Sequence, residues 1–145
     1  KGIIKMKGIL LDDFVKRYNG KKVDFDGVYG AQCVDLFRKY CDEGLGIPEH
    51  TGPCSTSGGA KDLFLDYPKM PIEKKYFYRY TNKSYIPGDV LIWDSTEKNP
   101  YGHVAILLAK LNNSFIVFEQ NGFDQTGAKI TIRDKSNLLG VLRKR

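Results

Sequence analysis

Residues 103–121 read HVAILLAKLNNSFIVFEQN. Two runs of branched and aromatic side chains flank Asn112-Asn113, which reads as two antiparallel strands joined by a tight turn. Register is the open question. An uninterrupted hairpin closed by a two-residue turn puts His103 on the face of Gln120 and turns Glu119 and Asn121 away. A bulge or a three-residue loop instead sets His103 opposite Asn121 and Ala105 opposite Glu119, all on one face. Only the second register brings the imidazole to a carboxylate.

Outward from this hairpin, a period of two also marks Lys75–Thr81, Asp89–Trp93, Lys129–Arg133 and Gly140–Arg143, with Pro87-Gly88 as one of the turns between strands. The first half of the chain has a different period. Leu11, Phe14, Val15 and Tyr18 recur at helical spacing within Ile9 to Tyr18, and Asn19-Gly20 ends that helix. A second helix starts at Ala31 or Gln32, carries Cys33, Phe37, Tyr40 and Cys41 on one stripe with Val34 and Leu36 beside it, and stops at Gly44 or Gly46. Residues 47–58 read as loop, Gly59 to Asp66 as a short helix, and the PKMP segment at residues 68–71 as a linker. Helices followed by strands predict an α+β domain with N-terminal helices packed on a five- to six-stranded antiparallel sheet.

The chain has 145 residues, one domain by length. No stretch has the length and apolarity of a membrane span, and the start KGIIKMKG lacks the features of a signal peptide. The absence of an initiator Met points to a piece of a larger modular protein, and a monomer is expected. A net charge of +6 favours anionic partners. The basic residues are scattered, with a cluster only at Arg143–Arg145, which argues against nucleic acid. Three cysteines cannot all pair within one chain.

Cys33 falls on the first turn of its helix, where unpaired backbone donors and the helix dipole favour a thiolate. Cys41, two turns on, reads as core, and Cys54 lies in a Gly/Ser loop. Of the two histidines, His50 sits in a Pro/Gly loop, whereas His103 starts a strand and is the candidate base. Glu119, Gln120 and Asn121 are candidates for the group that orients its ring. Glu119 is equally compatible with a sheet-edge carboxylate.

Residues 24–35, DFDGVYGAQCVD, lead into the Cys33 helix. Asp24, Asp26 and Asp35 occupy the first, third and twelfth positions of a calcium-loop-like spacing, and the carbonyls of Val28 and Gly30 fall at the fifth and seventh. The match is incomplete, because Tyr29 stands where such a loop has its turn glycine. A solvated acidic turn without metal fits the same residues.

Four blocks, YGAQCVDL at 29–36, PGDVLIW at 87–93, YGHVAIL at 101–107 and FEQNG at 118–122, resemble in order and spacing the CHAP domains (cysteine, histidine-dependent amidohydrolase/peptidase) of bacteriophage endolysins and bacterial wall hydrolases. The resemblance runs from about Asp24 to Phe123 and implies a papain-like fold, with residues 1–145 as a single catalytic domain acting on bacterial peptidoglycan through a cysteine thioester as an endopeptidase or an N-acetylmuramoyl-L-alanine amidase. It puts the nucleophile at Cys33, the base at His103, the orienting carboxylate at Glu119 and a further polar site residue at Asn121. It also implies structural Ca2+ on Asp24, Asp26, Asp35 and the carbonyls of Val28 and Gly30. A phage-encoded protein acting on the host wall, or a secreted or virion-associated one, follows as the expected setting. Two rivals remain: a transglutaminase- or deamidase-like cysteine enzyme acting on protein, and a calcium-stabilised binding module without catalysis.

Overall fold

The computed structural model describes residues 8–25, 27, 30, 32–48, 58–81, 84–121 and 126–145. Helix α1 spans Leu11–Tyr18 and buries Phe14, with acidic Asp12 and Asp13 in its first turn and basic Lys16 and Arg17 in its last. Those charges complement the helix dipole. Helix α2 spans Cys33–Lys39 and runs on into a wider π-helical turn, Tyr40–Gly44. The expected helix is therefore present, but its last turn is underwound and wider: the Leu45 N–H reaches the Tyr40 carbonyl, five residues back, at 2.8 Å. Leu36, Phe37, Tyr40 and Cys41 are buried, while Cys33 at the head is only half-buried.

Helix α3, Asp62–Leu65, is shorter than the expected Gly59–Asp66 and leads into a 3-10 turn, Tyr67–Lys69. The expected linker at residues 68–71 falls in this 3-10 turn, Met70 and the first residue of helix α4, Pro71–Tyr76, which also takes the first two residues of the expected Lys75–Thr81 strand. Pro71 supplies the fixed φ suited to a first helical position, and Glu73 and Lys74–Lys75 match the two ends of the dipole. The aromatic alternation of the sequence at 75–81 obscured those signals. Strand β1 is accordingly Phe77–Tyr80.

Strands β2 (Val90–Trp93), β3 (His103–Lys110), β4 (Ser114–Glu119), β5 (Lys129–Asp134) and β6 (Leu138–Lys144) complete a six-stranded sheet of order β1-β6-β2-β3-β4-β5. Every neighbouring pair is antiparallel. The chain is thus α+β, with N-terminal helices packed on an antiparallel sheet.

Strand alternation sends side chains to two cores. Val90, Ile92, Val104, Ile106, Phe118 and Leu142 face the helices and pack with Phe14, Leu36, Phe37, Leu63 and Met70. Leu91, Trp93, Ala105, Leu107, Phe115, Val117 and Val141 form a second cluster on the opposite face. That face is closed by curling of the sheet: the Trp93 Nε1–H on β2 donates to the Asp134 carbonyl on β5 at 3.2 Å although two strands lie between them. This explains why VLIW has no polar face and is buried throughout.

Near its turn the β3–β4 hairpin pairs Lys110 with Phe115 and Ala109 with Ile116, then shifts at Leu108 so that Leu107 pairs with Val117 and Ile106 with Phe118. The turn is the two-residue one expected, and the bulge supplies the register change that places His103 and Glu119 on one face.

Candidate active site

Two features aim His103. The 96–102 loop is braced by Asn99, whose Nδ2 donates to the Gly102 carbonyl at 2.7 Å and whose Oδ1 accepts the Tyr101 N–H at 3.1 Å. Gly102 has φ +77, and a Cβ there would lie 2.4 Å from the Trp93 carbonyl oxygen, so glycine is required immediately before His103. The imidazole is 5% exposed and packs near the Trp93 ring, with centroids 5.9 Å apart.

The His103 Nε2 and Glu119 Oε1 are 2.8 Å apart, and Glu119 is 1% exposed. A carboxylate only accepts, so this contact assigns the proton of the neutral imidazole to Nε2 and leaves Nδ1 with its lone pair. The Cys33 side chain is the next group that acts on the ring, and it favours the charged form. Burial is the largest influence on His103 and disfavours its charged form, but the hydrogen bonds to Cys33 and Glu119 outweigh it and raise the imidazole above its ordinary value, with Arg133 opposing. Burial likewise works to raise Glu119, yet the His103 and Arg133 contacts prevail and hold the carboxyl below its usual range. The arrangement sets an imidazole between a thiol and a carboxylate, the three groups that a nucleophile and its activating relay would use.

Arg133 is the site residue that sequence reasoning missed. Its Nε donates to Glu119 Oε1, the oxygen that also faces His103, and its guanidinium lies 5.6 Å over the Trp93 ring. Alternation along KITIRD was the only available signal, and it carries no trace of the curl that lays β5 over Trp93. Gln120 was a candidate for orienting the imidazole and does not do so. Its side chain turns to the opposite face, where Oε1 accepts the Val23 N–H at 2.7 Å and Nε2 donates to the Val23 and Gln32 carbonyls at 2.7 and 2.8 Å.

Asn121 follows the end of β4 in a left-handed conformation, φ 56, so the ladder stops before pairing it with His103. Cys41 is 1% exposed in the helix-side core, as expected of a packing cysteine. Trp93 belongs to the second core and also lines a cleft of about 460 Å³ beside His103, walled by residues of the 94–102 loop and the β5–β6 turn. Tyr101 is exposed. His50, Cys54, Tyr29 and Phe123 lie outside the described residues, as do Asp26 and Val28 of the acidic loop.

Of that loop, Asp24, Gly30 and Asp35 are described. Asp24 Oδ1 accepts the Gly27 N–H at 3.0 Å, and Gly27 and Gly30 take φ values of +72 and +73 that curve the chain. Asp35 is 3% exposed, and its Oδ2 accepts the Gln32 N–H at 2.8 Å, fixing the extended residue that starts α2. Among the described residues no three His, Cys, Asp or Glu side chains form a metal-holding group. The donor set is all oxygen, and the turn is closed at its first carboxylate, which suits a hard cation.

The chain is similar to two phage proteins. It is 35% identical over 95 residues to the D-alanyl-L-alanine endopeptidase of Streptococcus phage B30, covering 65% of this chain and 20% of that protein. It is 28% identical over 102 residues to endolysin PlyTW of Staphylococcus phage Twort (strain DSM 17442 / HER 48), covering 66% of this chain and 19% of that protein. The chain thus spans about a fifth of the length of these curated relatives. Among solved structures it resembles the wild-type endolysin LysIME-EF1, with TM-score 0.66 and 26% identity over 93% of this chain and 64% of that one. It shares its fold with Ly7917, with TM-score 0.63 and 18% identity over 91% of this chain and 59% of that one. The family model for the CHAP domain matches residues 22–121, a span that starts beside the clasped Val23 and ends at Asn121, and the chain belongs to the CHAP domain family.

Proposed function

We propose that this chain is a cysteine-dependent hydrolase that cleaves an amide bond of bacterial peptidoglycan, with Cys33 as nucleophile. The observation that carries the reading is the 2.8 Å pairing of His103 Nε2 with the buried carboxylate of Glu119, with Cys33 at the head of α2 acting on the same imidazole. His103 takes the thiol proton on Nδ1, and the Cys33 sulfur attacks the scissile carbonyl. The backbone N–H of Cys33, at the helix start, donates to the developing oxyanion. The side chain of Gln32, which is exposed beside it, and that of Asn121 are the two alternatives for the second donor. The protonated imidazole then gives its proton to the leaving amine. Water, deprotonated by His103, hydrolyses the thioester and regenerates the thiol.

The relative from Streptococcus phage B30, a D-alanyl-L-alanine endopeptidase, supports a peptide bond of the cross-linked stem as the target. The two phage relatives support a phage-encoded protein that meets the host wall. The charge of +6 suits a wall bearing anionic polymers. No helix of the described residues is long and apolar enough to cross a membrane.

Calcium belongs to the same proposal. Asp24, Asp26, Asp35 and the carbonyls of Val28 and Gly30 would hold it, and when bound it supplies positive charge that stiffens the loop ahead of α2. The test is the loss of turbidity of intact Gram-positive cells with wild type and Cys33→Ser, each with and without chelator. Clearing by wild type, lost in Cys33→Ser and reduced by chelator, is expected. Equal clearing by the variant would leave Cys33 without its role.

A further inference from the structure

We infer that Gln120 is the positioning residue for the nucleophile: its buried amide clasps Val23 and Gln32, the two ends of the acidic loop, and so fixes the head of α2 against the strand end that carries Glu119. The inference rests on the Cys33–His103 reading above and extends it to a residue outside the reacting groups.

Gln120 is 1% exposed and, among the described residues, makes three hydrogen bonds, all to main chain. Two of them pair its amide with the N–H and C=O of Val23, as a neighbouring strand would. The third goes to the carbonyl of Gln32, the residue before Cys33. The partners are 97 and 88 positions away in sequence, so these contacts join the start of the catalytic segment to its end. Val23 is itself 6% exposed, which removes water as a substitute partner for its main-chain groups.

Adjacent residues of a strand point to opposite faces. Glu119 therefore reaches His103 on one side of β4, and Gln120 reaches the loop and helix head on the other. One step of backbone ties base and nucleophile to the same rigid element. Asp35 completes the helix head from within by accepting the Gln32 N–H, while Gln120 holds the Gln32 carbonyl from outside. With both ends of residues 23–32 pinned by protein, the loop closes at its base independently of any cation at its acidic residues.

The variant Gln120→Met keeps the length and volume of the side chain and removes all three bonds. Gln120→Glu keeps an acceptor for the Val23 N–H but sets a carboxylate oxygen against the Val23 and Gln32 carbonyls. The readouts are the rate of Cys33 alkylation by iodoacetamide at pH 7, measured by mass analysis of the Cys33 peptide, which needs no peptidoglycan, and kcat against KM for release of soluble peptidoglycan fragments. Wild-type Cys33 should alkylate roughly tenfold or more faster than Cys33 in His103→Ala. Both variants should lose roughly tenfold to a hundredfold of the wild-type alkylation rate and of kcat with KM little changed, as expected for a misplacement of about 1 Å between reacting groups. A merely structural role would lower the melting temperature and leave the alkylation rate and kcat of the folded protein unchanged, and that result overturns the inference. Equal alkylation rates in wild type and His103→Ala would overturn the Cys33–His103 reading as well. In the wild-type chain, independently of any variant's folding, the Gln120 side-chain NH2 protons should exchange slowly with solvent; fast exchange would contradict the clasp.

Discussion

His103 Nε2 and Glu119 Oε1 lie 2.8 Å apart because the hairpin that carries both residues shifts at Leu108. Without that extra residue between the Asn112-Asn113 turn and the site, His103 would face away from Glu119. The contact has a direct consequence for Glu119→Gln. The amide keeps the shape, but it removes the charge that favours the imidazolium and leaves the Arg133 guanidinium beside the ring. The rate of peptidoglycan cleavage is expected to fall by about two to four orders of magnitude, the range associated with an impaired general base. Steady-state release of soluble fragments would check this, and a loss of less than tenfold would argue against Glu119 as the orienting group.

The same pair predicts how stability follows pH. Glu119 is held below its ordinary carboxyl value of 4.5, so its contribution is present above that value and is lost as pH falls through the lowered folded one. His103 is raised above its ordinary 6.5, so its contribution is fully present below that value and is lost as pH rises through the raised folded one. The melting temperature should therefore have a plateau between the two ordinary values and fall on both sides. In Glu119→Gln both limbs should flatten. Calorimetric scans across this range for the two proteins would show whether they do.

Arg133 pins Glu119 from the other side while stacking over Trp93. Replacing it by Gln removes a hydrogen bond to a charged group, and a loss of about 1.5–3 kcal/mol of stability is expected. Arg133→Lys should not restore it, because the stacked planar guanidinium and its Nε donor are what the site uses. Denaturant unfolding of both variants checks the prediction, and full recovery by Lys would contradict it.

Gly102→Ala is expected to be damaging for a backbone reason. The residue would be held at φ +77 with its Cβ 2.4 Å from the Trp93 carbonyl oxygen. A left-handed alanine alone costs about 1–3 kcal/mol, and relief of the close contact must move His103. Reduced melting temperature together with reduced kcat is the expected outcome.

For the acidic loop, chelator should lower the melting temperature of wild type, and calcium at a hundredfold excess over its Kd should restore about 2.7 kcal/mol. Asp24→Ala should abolish that response while leaving the Asp35 bond to the Gln32 N–H in place. An unchanged melting temperature of wild type in chelator would leave the acidic turn without a cation.

How much of this was legible in the sequence differs from residue to residue. The sheet half was readable because its strands alternate and its turns carry Asn, Pro and Gly, and β3 starts and ends where its pattern does. Helix α4 was hidden because a run of aromatic residues from Tyr76 onward looks like a strand, while Pro71 and the charges around it set the local state. Cys33, His103 and Glu119 were legible because their chemistry is scarce in the chain and two of them lie on one hairpin. Arg133 and the clasp by Gln120 were not, since both depend on contacts between distant segments: the curl that brings β5 to Trp93, and the approach of Val23 and Gln32 to the residue after β4. Local periodicity carries no information on either.

The most direct measurement is mass analysis of purified peptidoglycan after digestion by wild type and by Cys33→Ala. The account predicts new free amino groups on stem or cross-bridge peptides with wild type and none with the variant, whose melting temperature should stay close to that of wild type; new amino-terminal L-alanine freed from the sugar would instead identify the amidase bond. Identical products from Cys33→Ala, or intact peptidoglycan after treatment with folded wild type, would contradict it.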